Sequence, residues 1–436
     1  MKNLVLGVAT GYDWYKLEPF VNSFNLYNQN TDLVLFVDDI SDFTRDALIQ
    51  NNVELLPILD EFKDKLIASA RWEIYKNFLD ERGKNYQQVF LTDTRDVIFQ
   101  GDVFENYSDV KNFLVYVTEG EFIKNCPFNF DWLEGLFRKE IAEKLKNEEM
   151  ICSGTILGTV TEIKNLCVKM SQILHQNTIF GADQGAENYL VRENLLDVEN
   201  IFEINCEHGN IITVGHYFNK NPIKIENKKI LRGDGGIPAV VHQYDRHPAL
   251  VQLIDKLYRD NNFHPNKNFT DTRSMLEQIL HLANLDRIDD AYKLFTQYLF
   301  GKNFVGYVDN LIELWETVLN KNFTYSFELL ILSIQGELIL TNINDLELEK
   351  LNHILGLTNF CMKNHIAVSY HFKIFIGNIL FSLANKFYKF NQLDSCIEYL
   401  KFITELDTPK DTNFYLFQAK VYRETGKMSN SFAEYE

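Results

Sequence analysis

Hydrophobic and polar positions follow two different patterns along the chain, and the change falls near residue 265. Before it, short β-branched runs alternate with segments whose apolar positions repeat at helical spacing. The runs NLVLGVAT from Asn3, DLVLFVDD from Asp32 and VELLPIL from Val53 predict strands. Because strands alternate with helices, we expect a mainly parallel sheet with both faces covered, in an α/β domain.

A long helix and a fourth strand follow. In DKLIASARWEIYKNFLDERG, Ile67, Ala70, Ile74 and Phe78 share one predicted face, and Gly83 stands at the C-cap position. The strand QQVFLTD comes next. The same alternation therefore continues up to the most highly charged strand end in this half of the chain.

Charged and polar residues stand at the ends of three predicted strands, in the segments Thr10–Asp13, Asp38–Asp39 and Asp93–Asp96. Since open α/β sheets bind ligands at the carboxyl ends of their strands, we expect these segments to meet at one rim. Asp93 and Asp96 carry hard oxygen ligands suited to Mg²⁺ or Mn²⁺. The alternative is a structural turn in which Arg95 pairs with a carboxylate.

Three later stretches add candidate chemistry. MICSGTILGT places a Ser153-Gly154 turn between apolar segments, which would let a substrate approach the backbone. FGADQGAENYLV places Asp183 and Gln184 at a helix start, where the alternative for the acid is a plain N-cap. GIPAVVHQYDRHP predicts a buried strand that ends in a group of ionisable residues from His242 to His247. A structural role is the alternative for a single histidine there.

From about residue 266 onward, amphipathic segments predict helices to the end of the chain. The stretches from Lys386 and Lys420 overlay with a shift of 34, the tetratricopeptide period, which places Gln392 on Gly426. The stretch around Ala291 has a similar pattern, and whether these are true tetratricopeptide repeats stays open. Because the chain stops within a repeat and without a polar capping helix, we expect it to be a piece of a longer protein.

Composition and charge narrow the classes of function. The 436 residues are 46% hydrophobic and 24% charged, which is typical of a folded soluble protein. A net charge of -18 argues against nucleic-acid binding and against docking on anionic membranes through a basic surface. The six cysteines form no CxxC pair, so we expect reduced thiols in a cytoplasmic protein. No apolar run approaches the ~18–20 residues of a transmembrane segment.

The ordered set of motifs resembles the GT-A-fold glycosyltransferases. The set is the strand-end segment Asp93–Asp96 with the following FQGD, then SGTILG, DQGAEN and HQYDRH. Its layout is similar to glycosyltransferase family 8 and to bacterial transferases of surface-polysaccharide assembly, and it covers about residues 1–263. The resemblance implies a GT-A (Rossmann-like) catalytic domain over residues 1–265, and residues 266–436 then form an all-α, tetratricopeptide-like domain.

The resemblance also implies a divalent-metal site for Mn²⁺ or Mg²⁺. In that fold, an Asp-x-Asp motif and a late histidine hold the metal on the diphosphate of a nucleotide-sugar. Aligned on Gly101-Asp102, Asp96 takes the place of the second Asp and Thr94 the place of the first. Asp93 would then act from one position earlier, as a metal ligand or a ribose contact, and His242 matches the late histidine.

The remaining site residues follow from the same resemblance. Asp183 and Gln184 match the catalytic segment beside the transferred sugar and the acceptor. The aromatic ring of Tyr12 would stack on the base, and Arg71 would contact the diphosphate, with a surface helix charge as its alternative. The full set implied to contact the nucleotide-sugar is Thr10, Tyr12, Arg71, Asp93, Arg95, Ser153, Gly154, Arg246 and His247.

The implied activity is transfer of a sugar from a nucleotide-sugar, with a UDP-sugar as the expected donor, to a glycan or lipid-linked glycan. The layout resembles retaining enzymes; an inverting enzyme would need a carboxylate base, for which Asp183 is available. The helical region is expected to offer a surface for a protein partner. Cytoplasmic localisation is expected, with the inner face of the membrane as the alternative.

Two other classes stay open. The chain could be a helical-repeat scaffold with a degenerate transferase domain, which Thr94 favours slightly and the joint presence of Asp96, Asp183 and His242 opposes. A nucleotidyltransferase usually carries a glycine-rich, basic phosphate loop after the first strand. Here the corresponding ATGYDWYKLEP offers one Gly and one Lys.

Overall fold

A computed structural model of the chain describes residues 1–266, 268–269, 271–298, 307–319, 321, 370–405, 410 and 412–425. The chain divides into two compact units, Met1–Asn262 and Phe263–Glu436. The division falls close to the boundary predicted after residue 265. The functional identities of the two units remain predictions.

A seven-stranded sheet forms the centre of the first unit. Its strands are β1 Lys2–Thr10, β2 Thr31–Asp38, β3 Glu54–Pro57, β4 Tyr86–Thr92, β6 Phe113–Phe122, β7 Glu149–Thr159 and β8 Asn200–Ile204. They lie in the order β3-β2-β1-β4-β7-β6-β8. Neighbouring strands are parallel from β3 to β4 and between β6 and β8, whereas β7 runs antiparallel to β4 and β6. The prediction of a mainly parallel α/β sheet is therefore confirmed.

A second sheet of three short strands completes the strand-end region. Its strands are β5 Val97–Phe99, β9 Ile211–Thr213 and β12 Val240–His242, with β12 in the middle. The antiparallel register of β12 and β5 sets His242 opposite Val97, the residue after Asp96. A separate hairpin pairs β10 Ile225–Glu226 with β11 Lys229–Ile230. The late histidine is thus brought to the end of β4 by backbone pairing.

Helices cover the sheet. They are α1 Trp14–Tyr27, α2 Asp42–Gln50, α3 Asp60–Lys63, α4 Ile67–Arg82, α5 Pro127–Phe137, α6 Lys139–Leu145, α7 Val160–Leu174, α8 Ala182–Arg192, α9 Val214–Lys220 and α10 Pro248–Tyr258. The predicted face of α4 packs into the core, where Ala70, Ile74 and Phe78 are buried. Gly83 does occupy the C-cap position, but in a right-handed conformation with φ -55°. A Cβ there would lie 3.0 Å from Val160 Cγ1, so close helix packing explains this glycine.

The predicted Ser153-Gly154 turn is wrong, because both residues lie inside the continuous strand β7. The register with β6 is irregular at this point: neighbouring residues Tyr116 and Val117 pair with Ile156 and Cys152. The intervening residues of β7 bulge away from β6, and the amide of Asp93 donates to the Gly154 carbonyl at 2.8 Å. A strand irregularity, not a turn, therefore brings the backbone of Asp93 close to β7, and the approach of a substrate stays a prediction.

In the described part of the second unit, every regular element is a helix, which confirms the all-α prediction. These helices are Thr272–Asn284, Ile288–Tyr298, Val308–Leu319, Tyr370–Lys389, Leu393–Glu405 and Thr412–Glu424. Gln392 lies in the short connection before one of them, but Gly426, its predicted equivalent, lies outside the described residues. The tetratricopeptide assignment stays a prediction. In the described parts of both units, each helix is too short or too polar to cross a bilayer.

Candidate metal and nucleotide-sugar site

Predicted site residues meet around one cavity of about 470 Å³, which we call the strand-end cavity. It opens at the carboxyl ends of β1 and β4, as expected for an open α/β sheet. The predicted residues that line it are Thr10, Tyr12, Arg71, Asp93, Arg95, Asp96, Ser153, Gly154, Asp183, Gln184, His242 and Arg246. His247 lies apart from this lining: its ring is buried, with Nε2 3.0 Å from the Val214 carbonyl.

Asp93, Asp96 and His242 converge on one point. One potential ligand atom from each lies within 4.8 Å of the other two, and this is the one such cluster found among the described residues. His242 Nε2 is 3.6 Å from both Asp93 Oδ2 and Asp96 Oδ1, which is beyond hydrogen-bonding distance. Nε2 is buried and has no hydrogen-bond partner. A buried nitrogen that faces two carboxylate oxygens in this way has the geometry of a metal ligand.

Contacts on the other side of the ring fix the orientation of His242. Its Nδ1 lies 3.3 Å from Thr213 Oγ1 and 3.4 Å from Cys152 Sγ. If Nδ1–H donates to Thr213, the lone pair of Nε2 is left free for a cation. Gly154 is needed beside the ring, since a Cβ there would lie 2.4 Å from His242 Cε1 and 2.6 Å from Asp93 Oδ2.

The donor set fits a hard divalent cation. Two carboxylates and one imidazole, with no thiolate among the converging atoms, match Mn²⁺ or Mg²⁺ better than a soft metal. Cys152 lies close by, but burial raises the pKa of its thiol to about 11, so it stays protonated at neutral pH. The residues present therefore fit the metal that the sequence resemblance implied.

The acids of the site respond differently to burial. Burial works against ionisation of Asp93, but His242 and Arg71 outweigh it and lower the pKa of this carboxyl to about 2. For Asp96, burial dominates and raises the pKa, and the charge on Asp93 adds to the rise. Burial lowers the pKa of His242, but the carboxylates of Asp96 and Asp93 outweigh it and raise that pKa well above its ordinary value. A cation bound at this cluster would compete with protons for the same three side chains.

Arg71 connects the metal cluster to α8. Its guanidinium donates to Asp93 Oδ1 at 2.8 Å, to Asp183 Oδ2 at 2.6 Å and to the Ser153 carbonyl at 3.0 Å. The side chain is 13% exposed, so it is not the surface helix charge that was the alternative. Such fixed, partly desolvated donors are suited to a phosphate or a developing negative charge.

The start of α8 presents Asp183 and Gln184 to the cavity. The N-cap is Gly181, at φ +78°, so Asp183 is not the N-cap residue that was its alternative. Gln184 Nε2 donates to Asn129 Oδ1 at 3.0 Å and to Glu119 Oε1 at 3.3 Å. These bonds hold the Gln184 amide against the wall of the cavity nearest α5.

Thr94 explains the departure from the Asp-x-Asp pattern. Its side chain is buried, and Oγ1 donates to the Val8 carbonyl at 3.0 Å, which ties the end of β4 to β1. A Cβ on Gly7 would lie 2.6 Å from the Thr94 methyl, so the two positions are matched in size. Asp93, one residue earlier, faces the cavity and His242 instead.

Sequence reasoning missed several lining or supporting groups. Cys152 and Thr213 contact the His242 ring, whereas Trp132 and Phe180 line the cavity mouth. Cys152 comes directly before the predicted site residues Ser153 and Gly154, so its position in the sequence already indicated that it lies close to the site. Thr213 gave no such signal, because its approach depends on the pairing of β9 with β12.

No protein-family model matches this sequence, and no curated protein matches it either. Among solved structures, one similar chain is described as a glycosyltransferase involved in the glycosylation of the major capsid of PBCV-1. It is 9% identical, with 59% of this chain and 98% of that chain covered and a TM-score of 0.32. Another is described as the glycosyltransferase GlyE in Streptococcus pneumoniae TIGR4, at 13% identity, 64% and 73% coverage and a TM-score of 0.33.

Proposed function

We propose that the first unit is a metal-dependent glycosyltransferase that moves a sugar from a nucleoside-diphosphate sugar to a hydroxyl group of a glycan. One observation carries the proposal. Asp93, Asp96 and His242 bring three ligand atoms within 4.8 Å of one another, and the buried Nε2 of His242 has no hydrogen bond. A preformed hard-cation site at a strand end is suited to a ligand that carries a diphosphate.

We propose roles along the donor for the residues that line the cavity. Thr10 and Tyr12, at the end of β1, would hold the nucleoside, with the Tyr12 ring against the base. Asp93, Asp96 and His242 would hold Mn²⁺ or Mg²⁺, which when bound supplies Lewis-acid stabilisation of the departing diphosphate. A UDP-sugar is the proposed donor.

Basic residues complete the diphosphate end. Arg71 would donate to a phosphate or sugar oxygen from the position fixed by its two carboxylate partners. Arg246 lines the cavity beside Gln243 and is the second basic side chain proposed to face the diphosphate. Arg95 is paired with Asp245 at 2.9 Å and half exposed, so we propose a rim contact for it.

Transfer breaks the bond between the anomeric carbon and the diphosphate oxygen and forms one to the acceptor oxygen. The acceptor proton must go to a base. Asp183 is a poor candidate, since its Oδ2 is bound to Arg71 at 2.6 Å. This supports retention, in which an oxygen of the departing diphosphate takes the proton. Asp183 and Gln184 would then position the transferred sugar.

For the acceptor, the cellular location and the protein partner, we propose only a general class. A glycan or lipid-linked glycan is the proposed acceptor, in the cytoplasm or at the inner face of the membrane. The helical unit is proposed to bind a protein partner. The alternative of a scaffold with a degenerate transferase domain is not supported by a cluster whose ligand atoms still converge.

The test uses the full chain with a panel of nucleotide-sugars. We expect release of nucleoside diphosphate from at least one donor in Mn²⁺ and none in EDTA. Thermal unfolding checks binding separately, because a donor at 100 times its Kd should add ~2.7 kcal/mol to stability. The proposal is wrong if no donor, in Mn²⁺ or in Mg²⁺, gives either release of nucleoside diphosphate or a thermal shift.

A further inference from the structure

Three aromatic rings stand at the mouth of the strand-end cavity, on α5 and just before α8. Trp132 and Phe180 line the cavity, and Phe180 is 76% exposed. Phe128, one helical turn before Trp132, is 69% exposed, and its ring centroid lies 6.3 Å from that of Trp132. We call Phe128, Trp132 and Phe180 the aromatic platform. None of the roles proposed above uses it.

Two glycines fix the central ring of the aromatic platform. A Cβ on Gly181 would lie 2.4 Å from Trp132 Cζ2, and a Cβ on Gly185 would lie 3.0 Å from Trp132 Cβ. Gly181 also has a φ of +78°, a left-handed conformation that favours glycine. Because α8 begins right after Gly181, the contact that seats Trp132 also sets the helix start that carries Asp183.

The strand order places the aromatic platform beyond the metal cluster from the nucleoside end. Tyr12 follows β1, and Asp93 and Asp96 follow β4, its neighbour in the sheet. The next strand is β7, against which α8 packs, and α5 packs on α8 in turn. A donor that binds with its nucleoside at Tyr12 and its diphosphate at the cluster therefore points its sugar towards the aromatic platform.

The groups beside the rings identify the chemistry of the occupant. The Gln184 amide lines the same wall, bonded to Asn129 and Glu119. A pyranose ring presents a face of C–H groups, which suits the negative face of an aromatic ring, and a rim of hydroxyl groups, which suits amides and carboxylates. An alkyl chain offers no hydrogen-bonding group to the hydroxyl-binding side chains of this wall. The net charge of -18 also disfavours an anionic lipid surface.

We propose that the aromatic platform binds a pyranose ring of the glycan acceptor by stacking, with Phe180 and Trp132 as the main contacts. This rests on the proposed function, since the acceptor role needs a donor in the cavity. Affinity for a pyranose does not need the transfer reaction, so it can be measured on its own.

Saturation-transfer NMR on the full chain measures that affinity. The probes are methyl β-glucoside, methyl β-galactoside and methyl β-N-acetylglucosaminide, each titrated with and without UDP and Mg²⁺. We expect saturation of ring C–H protons for at least one glycoside. Phe180→Ala should raise its Kd about fivefold, and Phe180→Tyr, which keeps a ring, should stay within about twofold of the parent. Phe202→Ala is the matched control: Phe202 is 37% exposed on β8, at the edge of the sheet.

Several outcomes would overturn the inference. One is saturation of none of the three glycosides; another is an equal Kd for Phe180→Ala and the parent. A third is saturation of the alkyl protons of octyl β-glucoside without its sugar protons, which would identify an apolar partner. Failure of UDP to bind in Mg²⁺ or Mn²⁺ would instead count against the proposed function, and the titrations without UDP keep the two results separate.

Discussion

Helix α4 lies between two cavities that are similar in size but differ in how far their charged side chains are exposed to solvent. The strand-end cavity, about 470 Å³, receives Arg71 from one face of the helix. A second cavity of about 450 Å³, which we call the helix-start cavity, receives Ser69 and Glu73 from another face and is also lined by Lys65 and His175. Volume does not separate the two.

The charges do separate them. In the helix-start cavity, Lys65 and Glu73 pair at 3.3 Å with both side chains over a third exposed, as in an ordinary surface ion pair. In the strand-end cavity, Arg71 is 13% exposed and Asp183 5% exposed, and the buried His242 Nε2 has no hydrogen bond. Desolvated groups with unmet bonding capacity are expensive to fold, so they indicate function where solvated pairs do not.

The largest expected contrast comes from the carboxylates. Asp96→Asn removes a proposed metal ligand with little change in volume. We expect donor hydrolysis to fall about 1000-fold, because the charge on the departing diphosphate loses its cation. Initial rates in saturating Mn²⁺ measure this, with melting temperature as the check on folding. A well-folded Asp96→Asn protein with the parent rate would refute the metal assignment.

Arg71→Lys should have the second-largest effect: we expect kcat/KM for the donor to fall about 10- to 100-fold. Lysine keeps the charge but cannot hold Asp93 and Asp183 together through a planar guanidinium. Lys65→Arg, across the helix in the helix-start cavity, is the matched control and should leave kcat/KM unchanged. Equal kinetics for the two variants would remove the contrast between the faces of α4.

Metal binding at the strand-end cavity should weaken as pH falls. The pKa of His242 is raised, because the carboxylates beside the ring favour its protonated form, so a proton and a cation compete for this ring. Below that pKa, we expect Mn²⁺ affinity to drop by up to about tenfold per pH unit. Calorimetry in buffers of different ionisation enthalpy detects the released proton. His242→Gln should abolish this proton release, and release that persists in the variant would assign the proton elsewhere.

Thr213→Val tests the support behind the histidine. Without the hydroxyl 3.3 Å from Nδ1, the ring loses one of the two side-chain contacts that hold it in place. We expect Mn²⁺ affinity to fall about tenfold, whereas Thr213→Ser should retain it. Binding is followed by electron paramagnetic resonance of free Mn²⁺. Indistinguishable affinities for Val and Ser at this position would leave Thr213 with a packing role alone.

The smallest effect is expected on the solvated side. Glu73→Gln breaks the Lys65 pair in the helix-start cavity. We expect the free energy of unfolding to change by less than about 0.5 kcal/mol and the transfer rate to stay the same. Chemical denaturation and donor hydrolysis check both. A large loss of activity would show that a solvated ion pair on this helix also supports the reaction, and the contrast between the two cavities would be lost.

Sequence predicts the position of a site residue when a local pattern places it, and fails when contacts between distant segments place it. Asp93 and Asp96 follow an apolar run directly, so strand periodicity predicts their place at the rim. Thr94 shows the limit: its hydroxyl bonds to the Val8 carbonyl, a contact between distant segments that no local pattern encodes. The Ser-Gly pair at residues 153–154 predicts a turn, but the residues on either side of it pair with β4 and β6, which keeps the segment in a strand.

The pairing of β12 with β5 has a consequence for biosynthesis. The acidic ligands are translated roughly 150 residues before the imidazole that completes their set, while N-terminal segments begin to fold as they leave the ribosome. An emerging chain can thus form β1 to β4 and still have no closed metal cluster. Under the proposed function, an unfinished chain would therefore lack donor chemistry until β12 has been synthesised and has paired with β5.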